Sequence, residues 1–129
     1  MPKERVLSLG KYDISANRYL ELKYFCRQYR EKQSQLRSLT EISSFNMDGR
    51  SGGGISDKTA SLAIKRAQLT EDMKLVEQSA FEADSDIYQY IISNVADGVP
   101  YEYLGVPAGR RKFYEARRKF FFLLSQKKG

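Results

Sequence analysis

Apolar side chains return along the first third of the chain at steps of mostly three, four or seven residues: Tyr19, Leu22, Phe25, Cys26, Tyr29 and Leu36. That spacing lays them on one helical face, and Ser15 stands ahead of them as an N-cap. The pattern therefore predicts a first helix from Ser15 to about Leu39, behind a polar lead over residues 1–14. From Ser43 to Gly54 the sequence turns to Ser, Asn, Asp and the glycines Gly49, Gly52, Gly53 and Gly54. Such a composition holds no helix and has little to bury, so 43–54 reads as a flexible connector.

A second pattern follows, with Ser56 and Asp57 as caps. Leu62, Leu69 and Val76 fall seven apart, Met73 and Ala80 lie beside them, and Ala60, Ala63 and Ala67 keep the helix slim. A helix from Asp57 to about Ala83 would reach ~40 Å. Its narrow stripe suits an antiparallel hairpin with the first helix, the simpler arrangement, and equally a seam with a second copy. Arg66 interrupts the stripe and weighs against an unbroken coiled coil.

Asp84, Ser85 and Asp86 then precede the apolar face of Ile87, Tyr88, Ile91, Ile92 and Val95. Their charge suits the N-terminus of a third helix running to about Asp97, with Gly98 closing it. Pro100 can open a short fourth helix, Pro100 to Leu104, ended by Gly105. Pro107 can open the last, whose interior from Arg110 to Gln126 alternates basic clusters with Phe113, Tyr114, Phe120, Phe121, Phe122, Leu123 and Leu124. Phe113, Phe120 and Leu124 share a face and read as core. With no segment of strand character, the expected class is all-α: a long helical hairpin over 15–83, then a C-terminal three-helix helix-turn-helix module over 84–129.

Composition narrows the chemistry. The 129 residues include 41% apolar side chains, seven Phe and nine Tyr, which argues for one packed domain. There is no His and only one cysteine, Cys26, so His-based proton transfer, Cys/His zinc ligation and an internal disulfide are excluded. Cys26 lies among Tyr24, Phe25 and Tyr29 and reads as a buried small apolar residue. Neither a secretory signal nor a membrane-length apolar run is present, so the expected compartment is the cytoplasm, with no membrane partner.

The net charge of +6 is unevenly placed. Residues 1–98 carry 14 basic and 14 acidic side chains, whereas residues 99–129 carry eight basic and only two acidic ones, Glu102 and Glu115. A basic segment beside a neutral body is the footprint of a polyanion-binding element, although a solvated helix with a Lys-rich end has the same composition.

The order apolar helix, Gly98, short helix, Gly105-Val106 turn, basic aromatic helix is that of a helix-turn-helix. In such a unit the second helix braces across the DNA backbone and the first turn of the third enters the major groove. Arg110, Arg111 and Lys112 fall in that turn, and Arg is suited to bidentate contact with guanine. Arg117, Arg118 and Lys119, one or two turns on, could reach phosphates or core-side acids.

The string SGGGISDKTASLAIKRAQL (Ser51 to Leu69), together with Gly105 through Leu124, resembles the phage and prophage proteins of Gram-positive bacteria grouped with the RinA and ArpU late transcriptional regulators. The resemblance implies a C-terminal module similar to the fourth region of sigma factors. Arg110, Arg111, Lys112 and Tyr114 would then lie in the recognition helix, and Tyr101, Glu102 and Leu104 in the brace. Only four residues separate Pro100 from Gly105, about one turn short of the sigma pattern.

Rival motifs fail. No Lys-Ser or Lys-Thr follows the glycines as a phosphate loop requires, and the acids near Asp84 and Asp86 lack the ligand spacing of a calcium site. With no nucleophile and base pair in view, an enzyme is not expected, nor a metal or other cofactor. The expected function is that of a phage-type regulator binding duplex DNA, with a homodimer as a further possibility. The alternatives are a small terminase subunit, or a protein-interaction module whose basic helix meets RNA polymerase or another phage or host factor.

Overall fold

The computed structural model describes residues 12–46 and 57–129. They form five α-helices and one 3-10 turn: α1 (Ala16–Arg27), α2 (Tyr29–Asn46), α3 (Asp57–Ala83), α4 (Tyr88–Asp97), the turn Tyr101–Tyr103, and α5 (Arg110–Lys128). No strand occurs among the described residues, and no described helix is long and apolar enough to cross a membrane.

The stretch read as one helix from Ser15 to Leu39 is two. Ser15 caps α1 as expected, its side chain accepting from the Arg18 N–H at 3.1 Å. At Gln28 the backbone tightens, with the Gln28 N–H reaching the Phe25 carbonyl at 3.2 Å, and α2 leaves at once. Neither Gly nor Pro stands at the break, and Gln28 itself keeps right-handed helical backbone, at φ -87° and ψ 0°. α1 lies on α4 and α5 while α2 lies along α3, and Cys26 and Tyr29, three residues apart on either side of Gln28, both face the interior. α2 also runs on to Asn46, so Ser43 to Asn46 belong to a helix and not to the connector, the first glycine coming only at Gly49. The rest of the connector lies outside the described residues.

α3 has the expected bounds. Leu69, Val76 and Ala80 are buried on its stripe, with Leu62, Arg66 and Met73 half-buried. Two contacts fix its antiparallel register against α2: Lys32 pairs with Asp72 at 2.9 Å, and the Tyr29 hydroxyl donates to Glu77.

The acids ahead of α4 do not cap it. Ile87 holds the N-cap position with no side-chain hydrogen bond, and Asp84 instead accepts from the Asp86 N–H at 2.9 Å, so it closes the turn leaving α3. Gly98 ends α4 in the left-handed region, at φ 72°, as a C-terminal glycine should. The short fourth helix is a single 3-10 turn that Pro100 precedes rather than opens. Pro107 does not open the last helix either. The Tyr101 hydroxyl donates to the Ala108 carbonyl at 2.7 Å, and α5 starts at Arg110 with Gly109 as its N-cap residue.

A single core cluster gathers side chains from all five helices. Leu22 and Cys26 come from α1, Tyr29 from α2, Val76 and Ala80 from α3, Ile91 and Val95 from α4, and Phe113, Phe120, Phe121 and Leu124 from α5. The expected core face of α5 is thus present, extended by Phe121. α3 packs most extensively on α5, and its neighbours α2 and α4 complete the surround.

Two measurements probe this frame. Gly98→Ala would force an L side chain into the left-handed region and press its Cβ to 3.1 Å from the Arg27 guanidinium. A loss of about 1–2 kcal/mol in urea unfolding is expected. Burial pushes the Cys26 thiol up to about 12, against smaller opposing effects of Arg117 and Lys32. The native thiol should therefore resist alkylation at pH 8 and react once unfolded. Because the unfolded thiol ionises near 9.0 and the folded one does not, stability should fall as pH rises from there toward 12. Cys26→Ala should make that fall shallower.

Candidate nucleic-acid interface

Burial sorts the cations of α5. Its inward face carries Phe113, Ala116, Phe120, Phe121 and Leu124, all buried. At 100° per residue, the opposite face carries Arg111, Lys112, Glu115, Arg118, Lys119 and Phe122. Arg111 and Lys112 are exposed and Arg118 and Lys119 half-buried. Among the described residues none of these four makes a hydrogen bond or an ion pair. Glu115 is the only acid among them.

The other cations of the segment are engaged. Arg117 points inward: its Nε donates to Asn94 Oδ1 at 2.6 Å, its Nη2 donates to the Tyr19 hydroxyl at 3.2 Å, and its guanidinium lies 5.0 Å from the Phe121 ring centre. It joins α1, α4 and α5 through neutral partners. Arg110 turns back to Glu102 at 3.1 Å and stacks 4.9 Å from the Tyr101 ring centre. Glu102 sits below its ordinary pKa, through its own backbone N–H first and Arg110 second, while that hydrogen bond holds Arg110 above its own. Both are exposed, so the pair adds little stability. Tyr114 is half-buried, its ring edge-on to Phe113 at 5.2 Å. Lys127 pairs with Glu82 at 3.1 Å, and Lys128 sits 4.8 Å above the Phe25 ring.

Of the seven residues expected at the interface, the structure thus brings four together on one outward face: Arg111, Lys112, Arg118 and Lys119. Arg110 shares the register of Arg117 and is tied to the preceding turn, while Arg117 and Tyr114 serve the interior and the turn. The signal that separates Arg117 was present in the sequence. It stands four residues from both Phe113 and Phe121, which places it on the core face. Phe122, also on the outer face, is covered by the Tyr12 ring at 5.5 Å, a contact that nothing in the spacing announced. Among the described residues no cluster of three or more His, Cys, Asp or Glu could hold a metal ion.

The inward and outward cations should behave differently on removal. Arg117→Ala deletes two hydrogen bonds from a partly buried cation and should cost roughly 1.5–3 kcal/mol in urea unfolding. Arg118→Ala, on the outer face, should fall within about 0.5 kcal/mol of the unmodified chain. No family model, curated protein or solved structure matches this chain.

Proposed function

We propose that the chain binds duplex DNA with the outer face of α5 and acts as a phage-type transcriptional regulator. The observation that carries this reading is the sorting of charge on α5. Arg111, Lys112, Arg118 and Lys119 have no partner among the described residues, while neighbouring cations of the same helix are occupied internally. Four cations against Glu115 leave a surplus of three positive charges on one helical face. A helix with its side chains is about 10–12 Å across, which the ~12 Å width of a B-DNA major groove admits.

On this reading α4, the 3-10 turn and α5 act as the helix-turn-helix module, and α2 with α3 as the helical hairpin that carries it. Phosphate neutralisation supplies affinity through counterion release, and the first turn of α5 supplies base contact. Arg111 and Lys112 address base edges, while Arg118 and Lys119, two turns further on, address phosphates. Arg110 can join them only by leaving Glu102. The likeness of Ser51–Leu69 and Gly105–Leu124 to the RinA and ArpU group supports the same assignment. No cofactor is required.

Selection from random duplexes followed by salt titration tests the proposal. One motif should be recovered, keeping its advantage over a scrambled duplex as salt rises. Arg111→Ala with Lys112→Ala should relax that preference. Arg118→Ala with Lys119→Ala should weaken all duplexes alike and reduce the slope of log affinity against log salt by about 2. Helicity by circular dichroism should stay unchanged. Binding that vanishes equally for both duplexes, or that survives all four substitutions, overturns the assignment and favours a protein partner for the basic helix.

A further inference from the structure

A second surface, with no lining residue from α5, carries the opposite charge. An open groove of about 710 Å³ runs where α2, α3 and α4 meet, lined among others by Tyr29, Glu77, Phe81, Tyr88 and Ile92. Phe81 is 53% exposed, and its ring packs edge-on against Tyr88 at 5.2 Å instead of entering the core. Ile92 lies nearly buried at the base.

Glu77 gives the groove its chemistry. Its side chain accepts a hydrogen bond from the Tyr29 hydroxyl and has no ion-pair partner among the described residues. Burial, together with the neighbouring carboxylate, holds the Tyr29 phenol above its ordinary pKa. Arg30 is the only cation among the lining residues, and Asp97 holds it at both Nε (3.0 Å) and Nη2 (3.1 Å). Glu82 is paired with Lys127. Residues 71–97, which supply the α3 and α4 walls, carry seven acids against Lys74 alone; Asp72, Glu82 and Asp97 are paired with Lys32, Lys127 and Arg30, and Glu77 is the lining acid left without a counter-charge among the described residues.

We propose that this groove receives a basic amphipathic helix of another protein. Such a helix would set an Arg or Lys on Glu77 and an apolar side chain, one turn away, over Phe81 and Ile92. Charge complementarity selects the cation, because Glu77 is half-buried and partly desolvated with no counter-charge of its own. The exposed ring of Phe81 suits the same group, since aromatic faces attract guanidinium and ammonium. The trough between packed helices suits a helical ridge with anchors three or four residues apart. The Glu77 carboxylate, unpaired among the described residues, opposes nucleic acid at this surface. The inference stands on different residues from the α5 interface and does not depend on it.

The test is a displayed library of helical peptides in which each variable position samples Lys, Arg, Asp, Glu and apolar residues equally, selected on the full chain. Enriched peptides should place Arg or Lys three or four residues from Leu or Phe. Their affinity should fall about tenfold or more on both Glu77→Gln and Phe81→Ala. Glu77→Gln keeps an acceptor for Tyr29 and Phe81 is exposed, so near-ultraviolet circular dichroism should show both variants folded. A peptide with Glu replacing its selected cation should lose the unmodified chain and recover binding to Glu77→Lys. Enrichment of acidic or uncharged peptides, no enrichment, indifference to both substitutions, or displacement of the peptide by duplex DNA would each overturn the proposal. So would a sedimenting dimer that Phe81→Ala dissociates, since a second copy would then occupy the groove.

Discussion

Burial of the Phe113, Phe120, Phe121 and Leu124 face of α5 fixes the rotation of that helix, and everything that its cations can do follows from that rotation. The three phenylalanines are essentially inaccessible to solvent. Each contributes roughly 1.5–3 kcal/mol by leaving water, whereas an exposed ion pair contributes at most about 1 kcal/mol. No arrangement of surface charge on α5 could outweigh that difference and turn the helix by even one residue. The apolar set therefore decides which basic side chains meet solvent, and it leaves Arg111, Lys112, Arg118 and Lys119 outside and Arg117 inside.

Arg117 shows what the constraint costs and how the fold answers it. A guanidinium on the core face must find partners or stay hydrated. Here Asn94 and Tyr19 accept its hydrogens and Phe121 offers a ring face, so α1 and α4 are both tied to α5 by one side chain. A second tie lies one turn beyond Phe121, where the Arg18 guanidinium donates to both the side chain and the backbone carbonyl of Ser125 at 2.9 Å. These neutral acceptors leave the positive charge of Arg117 uncancelled near Cys26, where it opposes the effect of burial on the thiol without overcoming it.

Local signals carried much of this architecture in advance. The seven-residue stripe of Leu62, Leu69 and Val76 marked α3 between its observed bounds, and Gly98 marked the end of α4, because periodicity and a left-handed glycine are properties of short stretches. The break at Gln28 could not be read the same way, since no breaker residue stands there and the different neighbours of α1 and α2 are set by tertiary packing. The start of α5 was misplaced by three residues for a similar reason: the Tyr101 hydroxyl holds the carbonyl of Ala108, a contact that spacing does not encode. Among the candidate site residues, the helical register separates Arg117 from Arg118, but the tie between Arg110 and Glu102 depends on how the 3-10 turn folds back. Phe81 stood outside every apolar stripe and drew no expectation; the groove exists only once α3 and α4 are packed.

The same packing segregates charge. Lys127 and Glu82 join the basic helix to the C-terminal end of α3, Lys32 and Arg30 pair with Asp72 and Asp97, and the charges left over at the two surfaces differ in sign: four cations on the outer face of α5 and Glu77 in the groove. Screening at physiological ionic strength leaves a charge felt over ~8 Å, so each face acts on its own surroundings more than on the other. A polyanion approaching such a molecule is drawn to the outer face of α5 and turned away from the acids of residues 71–97, which orients the encounter before any contact forms. A basic helix meets the reverse field. On the two proposals, partners of opposite charge would therefore not compete for one surface, provided that α5 keeps its phenylalanine face buried and so keeps its four outward cations together.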